Sequence, residues 1–337
     1  MARTTLKDVA RRAGVSSATV SYVLNGKRTI SEDTKRRVRE AIEELDYVPD
    51  LAARGLSRRD SMLIGVVVPQ TEPGDRLMFQ NSFYSEVLGS IEYYARQRGY
   101  HILISATDAN ESYLTLAKQR NLDGIIVIGM YPDEFYQQMK KTQIPIVLID
   151  SYCNDHYYNN IRIDDAYGSY LATRYLLECG HRDAAFFAGQ LKENGVMQKR
   201  LAGYRQALED NGLSAYARVT GDGFSIRNGY EQTLRALHVR QRPTAIFALS
   251  NTILLGALKA VREMKLRIPD DISLASFDNY DYLDYLDPAV TRVGQPSDEI
   301  GAQAMEILLQ RIAGETGGEE QRRLPPSLIV CRSVRKL

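Results

Sequence analysis

Several features of common protein classes are missing from this 337-residue chain. Its three cysteines, Cys153, Cys179 and Cys331, lie far apart and form no Cys-x-x-Cys pair. This pattern favours reduced thiols in a cytoplasmic protein over a disulfide framework or a zinc site. No apolar run approaches the roughly 20 residues that a membrane-spanning helix needs, and the first residues contain no apolar signal segment. We therefore expect a cytoplasmic protein without membrane association.

Motifs for catalysis and cofactor binding are also missing. The four histidines are dispersed and show no metal-ligand spacing. Gly221-Asp222-Gly223 begins a dinucleotide-binding motif but lacks its third glycine, and neither a phosphate-binding loop nor a Gly-x-Ser-x-Gly motif occurs. The sequence thus predicts no metal and no cofactor, and nothing in it indicates an enzyme.

The charge is distributed unevenly along the chain. The net charge is only +1, but residues 1–39 contain ten Lys or Arg against three Asp or Glu. A basic segment joined to a mildly acidic remainder suits a polyanion such as DNA. A solvated helix face would produce the same run of charges, so the apolar pattern within the segment has to decide between the two.

That apolar pattern predicts a helix-turn-helix. Apolar residues recur at helical spacing in two short stretches: Leu6, Val9, Ala10 and Ala13, then Val20, Val23 and Leu24. Gly14 can end the first helix and Ser16 can cap the second. A third helix is expected after Ser31. The second helix of such a motif can enter the major groove of DNA, where residues near its N-terminus read base edges.

Two segments resemble the DNA-binding head and hinge of the LacI/GalR family of bacterial transcriptional regulators. The first contains Thr-Val-Ser at 19–21 and Val-Leu-Asn-Gly at 23–26, and the second is YVPDLAARGLS at 47–57. The resemblance implies a set of DNA-contacting residues: Thr5, Ser16, Ser17, Ala18, Ser21, Tyr22 and Asn25. It also implies that Leu56, on a hinge helix in the minor groove, wedges between base steps at the operator centre. The alternative for Leu56 is a linker residue that packs on its own domain.

Tyr22 departs from the family pattern, because many members have an arginine there. A tyrosine cannot make the bidentate contact with guanine O6 and N7 that arginine makes. It can donate one hydrogen bond or pack on a thymine methyl group. No known operator sequence can therefore be transferred to this chain.

From residue 62 onward, short apolar runs alternate with amphipathic segments. Strands are predicted at 63–69, 101–106, 124–129, 145–150, 184–189, 245–250 and 272–277. Helices are predicted at about 83–99, 165–179, 199–212, 227–238, 251–265 and 297–313. Strands that alternate with helices indicate parallel sheets covered on both faces.

This part resembles the family's effector domain, a periplasmic-binding-protein-like fold. Matching segments include LDGIIVIG at 122–129, KRLAGYRQAL at 199–208 and IPDDISLASFDN at 268–279. The expected fold is an all-α helix-turn-helix head on an α/β body with two doubly wound parallel sheets. We expect a head at 1–46, a hinge and linker at 47–60, and an effector-binding and dimerisation body at 61–337. The first lobe would comprise about 61–160 and 294–323, and the second about 161–293 and 324–337.

Residues matched to the family's effector site fall at predicted strand or helix ends. They are Phe83, Asp150, Arg200, Phe224, Ser250, Asn251 and Asp278. An arginine and a carboxylate such as Arg200 and Asp278 can hold vicinal hydroxyls or a polar ring. Their substitution is expected to remove the effector response and to leave the protein folded. The alternatives are a surface helix position for Arg200, a cap or turn for Asp278 and a core position for Phe224.

The sequence thus predicts a homodimeric repressor that binds double-stranded operator DNA. We expect control of carbohydrate-utilisation genes through a small effector, a sugar, bound between the lobes. One alternative is a purine or nucleoside as effector, and another is a partner protein as co-effector. A solute-binding protein would fit the body but not the head. No heptad segment follows the final predicted strand, which favours a dimer over a tetramer.

Overall fold

The computed structural model describes residues 4–25, 30–47, 61–69, 82–106, 113–151, 157–189, 195–221 and 223–337. The chain forms two compact units, Met1–Ser61 and Met62–Leu337. Among the described residues, no helix is long and apolar enough to cross a lipid bilayer.

The first unit contains three helices: α1 (Leu6–Ala13), α2 (Ser17–Asn25) and α3 (Glu32–Glu44). Gly14 ends α1 with a φ of 65°, a left-handed conformation that glycine adopts without steric cost. The hydroxyl groups of Ser16 and Ser31 accept backbone N–H bonds at the starts of α2 and α3. The small core contains Val9, Val20 and Val38, all fully buried. The predicted helix-turn-helix is therefore confirmed.

The second unit contains two six-stranded sheets. The first sheet has the strand order β11-β5-β4-β3-β1-β2 and is parallel throughout. Its strands are β1 (Leu63–Val67), β2 (His101–Ser105), β3 (Gly124–Ile128), β4 (Ile146–Ile149), β5 (Asn159–Ile163) and β11 (Gln321–Leu324). Its helices are α4 (Ser82–Gln97), α5 (Tyr113–Gln119), α6 (Asp133–Met139) and α11 (Ser297–Ile312). We call this sheet with its helices the first lobe.

The second sheet has the strand order β12-β10-β9-β8-β6-β7. Its strands are β6 (Ala184–Ala188), β7 (Arg218–Gly221), β8 (Ala245–Ala248), β9 (Ser273–Phe277), β10 (Thr291–Gly294) and β12 (Ser327–Ile329). Its helices are α7 (Asp165–Glu178), α8 (Val196–Asp210), α9 (Ile226–Leu237) and α10 (Asn251–Glu263). We call this sheet with its helices the second lobe.

The predicted α/β body with two doubly wound sheets is confirmed, with one local departure. Strand β12 pairs antiparallel with β10, whereas every other pairing is parallel. No helix precedes β12 to return the chain to the same end of the sheet, as a parallel connection requires. The chain passes between the sheets three times, after β5, β10 and β11. The chain stays in the first sheet as far as Ile163, slightly beyond the change of lobe expected near residue 160. The exact domain limits stay a prediction.

Candidate functional site

The carboxyl ends of parallel strands place several polar side chains in one region of the body. Asp150 directly follows β4, Asp278 directly follows β9, and Ser250-Asn251 begin α10 just after β8. Asp150 and Asp278 have φ angles of 54° and 76°, in the left-handed region that aspartate tolerates better than most residues. All four side chains are buried. This edge is where parallel α/β sheets bind ligands.

Arg200 on α8 is the centre of this region and is only 5% exposed. Its Nε donates to Asp165 at 2.8 Å, and its Nη1 donates to the carbonyl oxygen of Leu249 at 2.8 Å. Nη1 also lies 3.6 Å from a carboxylate oxygen of Asp278. The guanidinium carbon lies 3.6 Å from the ring centre of Phe277, which is a cation–π contact. Arg200 is therefore fixed on several sides and is not a surface helix residue.

Asp278 is held by neutral donors as well as by Arg200. The side-chain amide of Gln295 donates to it at 2.5 Å, and the backbone N–H of Asn251 donates to it too. Burial raises the pKa of Asp278, while Arg200 and the hydrogen bonds act in the opposite direction. Ser250 accepts the Ile253 backbone N–H at 3.3 Å and so caps α10. This cap holds Asn251 beside Asp278.

Asp150 belongs to the first lobe but lies in the field of the same group. Burial raises the pKa of Asp150 well above its usual range, and the nearby carboxylate of Asp165 raises it further. Arg200 acts against this rise. Two buried carboxylates, Asp165 and Asp278, thus contact the buried guanidinium group of Arg200, and the charge of Arg200 also acts on Asp150.

Two aromatic residues of the predicted site lie near the start of α4 and just before α9. Phe83 is buried near the start of α4 and packs edge-on against Tyr84, with 5.6 Å between ring centres. Burial and Asp150 raise the pKa of Tyr84. Phe224 precedes α9, and its ring lies against Gly189 at the end of β6. Its side chain is 42% exposed, so it is not a core residue and is available to a ligand.

Among the predicted effector residues, the structure therefore brings Arg200, Asp278, Asn251 and Asp150 together, and Ser250 supports them through its cap. Their role in effector binding stays a prediction. Sequence reasoning missed three participants: Tyr84, Asp165 and Gln295. Asp165 could have been suspected as a second acid at the start of a helix, and Tyr84 as the neighbour of Phe83. Gln295 gives no local signal, because only the path of the chain from β10 to α11 places it beside Asp278.

In the head, Thr5 and Ser16 directly precede α1 and α2, Ser17 and Ala18 begin α2, and Ser21, Tyr22 and Asn25 lie further along α2. Thr5, Ser16 and Ala18 are exposed, while Ser17, Ser21 and Tyr22 are half-buried. The Thr5 hydroxyl donates to Asp8 at 2.5 Å, and the Ser16 hydroxyl accepts the Thr19 backbone N–H at 3.1 Å. The predicted contacts of the Asn25 side chain and of Leu56 lie outside the described residues.

Intramolecular ion pairs use part of the positive charge of the head. Arg36 contacts Asp33 at 2.7 Å and Glu40 at 3.1 Å, and Arg12 contacts Glu44 at 2.5 Å. These pairs are exposed, so each contributes little to stability. They nevertheless reduce the charge that the head offers to phosphate groups.

Comparison with known proteins agrees with this architecture. The family model described as bacterial regulatory proteins, lacI family, matches residues 5–50, and the periplasmic binding protein-like domain matches residues 173–334. The HTH-type transcriptional repressor PurR of Vibrio campbellii is 32% identical over 99% of both chains. PurR of Erwinia tasmaniensis is 35% identical over 98% of this chain and 96% of that protein.

Solved structures show the same likeness. A lac repressor dimer bound to operator and the anti-inducer ONPF has a TM-score of 0.85 and 27% identity, covering 99% of this chain and all of that one. A transcriptional regulator CelR–cellobiose complex has a TM-score of 0.69 and 27% identity, covering 98% of this chain and all of that one.

A helix-turn-helix head joined to a two-lobed, periplasmic-binding-protein-like α/β body defines a bacterial regulatory protein. The chain belongs to the lacI family of bacterial regulatory proteins. It is a DNA-binding transcriptional repressor and not an enzyme.

Proposed function

We propose that the protein acts as a homodimeric repressor whose affinity for operator DNA is set by a purine base or nucleoside bound between the lobes. This effector is the alternative considered from the sequence, and it replaces the sugar as our main interpretation. The observation that carries it is the combination of the exposed Phe224 ring with the Arg200–Asp278 pair at the same edge of the second lobe.

The geometry suits a flat, polar heterocycle. A planar ring can stack on the Phe224 side chain, which is open to solvent. The edge of such a ring carries adjacent hydrogen-bond donors and acceptors, which a carboxylate and a guanidinium group can match. Asp278 and Arg200 offer both types of partner in a buried setting, where charge-assisted hydrogen bonds are strong.

The comparisons support the same choice. The curated relatives cited above carry the name PurR and match along nearly the full length of the chain. A sugar is the second candidate, because two similar structures contain cellobiose and ribose. The ribose complex is 27% identical and covers 82% of this chain.

A ligand screen separates the two effector classes. Hypoxanthine, guanine and adenosine should each be compared with ribose and cellobiose by thermal shift, because a ligand that binds only the folded state raises the melting temperature. We expect a rise with at least one purine and none with the sugars. A rise with the sugars alone would support the sugar, and no rise with any compound would support a partner protein as co-effector.

Phe224→Ala provides the site-specific arm of this screen. It should weaken binding of the stabilising compound by about 10-fold or more, because a lost aromatic stacking contact costs roughly 1–3 kcal/mol. Tyr216→Ala is the matched control, since Tyr216 is an aromatic residue of the same lobe with a similar exposure, 49% against 42% for Phe224. Equal binding by both variants would remove Phe224 from the site.

We also propose that the head binds operator DNA directly, through contacts of α2 with base edges and through contacts with phosphate groups. The similar lac repressor structure is a dimer on operator, and a dimer of this chain would place two α2 helices on the half-sites of a near-palindrome. Operator affinity should fall linearly with salt on logarithmic axes, with a slope near −0.9 per neutralised phosphate. A flat salt response on a selected operator would contradict direct binding by the head.

Leu56 can be tested although it lies outside the described residues. Leu56→Ala should weaken binding to operator much more than binding to random DNA, because a wedge between base steps acts only on the specific complex. Equal losses on both DNAs would instead support a linker role for Leu56.

A further inference from the structure

The second sheet has another polar edge, at the amino ends of its parallel strands and opposite to the edge that carries Arg200 and Asp278. Four connections lead from a helix into a strand there, and the final segment returns there because β12 is antiparallel. These five segments contain eight Lys or Arg against three Asp. We call them the basic edge: residues 179–183, 211–217, 238–244, 264–272 and 330–337.

The buried residue His181 ties segments of the basic edge together. Its Nδ1 lies 2.9 Å from the hydroxyl oxygen of Thr244, and its Nε2 lies 3.1 Å from the carbonyl oxygen of Arg335. The backbone N–H of Thr244 donates to the carbonyl oxygen of Asp183 at 2.8 Å. The backbone N–H of Arg335 donates to the hydroxyl of Ser273, the first residue of β9, at 3.1 Å. Segments distant in sequence are therefore fixed side by side.

Arg218, the first residue of β7, holds the loop 238–244 in place. Its Nε contacts the carboxylate of Asp183 at 2.7 Å, and its Nη1 donates to the carbonyl oxygen of Gln241 at 3.0 Å. Arg218 thus joins this loop to the segment 179–183 and neutralises the acidic residue of that segment.

The other acidic residues near the basic edge also have partners. Asp270 and Asp271 both form ion pairs with Arg267. Asp287, which precedes β10, lies 3.7 Å from Arg332. Little negative charge is therefore left for the remaining basic side chains of this edge.

Three arginines of the basic edge are open to solvent and to an external anion. Arg182, Arg240 and Arg242 are exposed, and none of them forms an ion pair with a residue that the structure describes. Arg174 and Arg227, exposed arginines on helices of the same lobe, each bind a glutamate one turn away. A group of cations of one sign without carboxylate partners attracts a polyanion.

We propose that the basic edge binds the phosphate backbone of a second DNA segment while the head holds the operator. Guanidinium groups match phosphate oxygens through paired, charge-assisted hydrogen bonds. DNA is the polyanion that surrounds a repressor bound to its operator, and flanking DNA is present there at high effective concentration. Contacts with the backbone alone require no particular base sequence. The inference does not depend on which effector binds at the opposite edge of the sheet.

A two-duplex assay with the full-length protein tests this proposal. The protein is saturated with an operator duplex selected from a random library, and a short duplex of unrelated sequence with a fluorescent label is then titrated. Anisotropy of the label measures binding of the second duplex, and a different label on the operator verifies that the operator stays bound. Because the head is occupied, the second duplex reports on another surface of the protein.

The salt dependence gives the expected size of the effect. Four exposed arginines that each neutralise one phosphate predict a slope of about −3.6 on logarithmic axes, which is a loss of affinity of roughly 150-fold between 50 and 200 mM salt. These four are Arg182, Arg240, Arg242 and Arg335.

Arg240→Gln/Arg242→Gln removes two of the four charges and should reduce the slope to about −1.8. Its affinity for the operator should stay at the wild-type value, because the head is unchanged. Arg174→Gln/Arg227→Gln is the matched control, since it removes the same charge from the same lobe at arginines that have glutamate partners. The control should bind the second duplex nearly as well as the wild type. All four side chains are exposed, so the circular dichroism spectra of both variants should match that of the wild type.

Two results would overturn the proposal: no binding of a second duplex to the operator complex at low salt, or equal binding by Arg240→Gln/Arg242→Gln and the wild type. Polyglutamate and phosphatidylserine vesicles provide a further arm as competitors. Stronger competition by either of them than by unlabelled duplex at equal charge would also overturn it, in favour of an acidic protein or a membrane. Failure of the purine screen would leave this test unaffected, because no effector is added.

Discussion

Removal of Arg200 should destabilise the body, and Arg200→Met isolates the charge because methionine retains much of the apolar length. The variant leaves Asp165 and Asp278, which are 2% and 3% exposed, without their cation. Breaking a buried ion pair from one side costs about 3–5 kcal/mol. Packing of the methionine on Phe277 offsets part of the lost cation–π contact. We therefore expect the free energy of unfolding to fall by about 4 kcal/mol at pH 7.5. The sequence predicted only that substitution of Arg200 leaves the protein folded; the contacts of the buried guanidinium group add a large expected loss of stability.

Guanidinium denaturation followed by circular dichroism measures this cost, and the lack of tryptophan makes that signal preferable to intrinsic fluorescence. Arg200→Met/Asp165→Asn should be less destabilised than the sum of the single variants, because the double variant removes one of the stranded carboxylates. Arg267→Met is the matched control: Arg267 makes ion pairs with Asp270 and Asp271, but its side chain is 70% exposed, so the loss should stay within about 1 kcal/mol. An equally small loss in Arg200→Met would refute the reasoning.

Three further predictions concern other parts of the molecule. Gly203→Ala should lower the free energy of unfolding by about 1–3 kcal/mol, because the added Cβ would clash with the Ala166 carbonyl oxygen of the adjacent helix α7. Gly89→Ala should be neutral or stabilising by up to about 1 kcal/mol, because no atom lies within 4 Å of its added Cβ. Urea denaturation of both variants measures these changes. Burial lowers the pKa of His181 below the reference value of 6.5, so its contribution to stability is complete above that pH and is lost as the pH falls below it. Wild type should therefore lose stability relative to His181→Asn between pH 7.5 and 5.5, and parallel curves would exclude this source. Tyr22→Arg should shift the selected half-site toward guanine at the contacted position, and an unchanged consensus from a random DNA library would show that Tyr22 does not face the groove.

Local patterns in the sequence determined the head and most of the sheets. Helix spacing, Gly14 and the caps Ser16 and Ser31 act within a few residues, so they specify α1 to α3 without knowledge of the rest of the chain. The fully buried strands β3, β6 and β9 were equally clear, because strands covered on both faces are continuous apolar runs. The resemblance to the family singled out Asp150 and Asp278, and their positions at the ends of predicted strands agreed with it.

Only the tertiary structure decided which polar groups meet. Strands β7 and β11 are partly exposed and contain polar residues, so their apolar signal is weak and their positions at or near sheet edges depend on neighbours distant in sequence. The contacts of Arg200 with Asp165 and Leu249 span 35 and 49 residues. Gln295 reaches Asp278 because the chain leaves β10 past the end of β9. Sequence periodicity describes the face that a residue occupies within its own element. The contact of two carboxylates, Asp165 and Asp278, with the guanidinium group of Arg200 arises only when separate elements pack together.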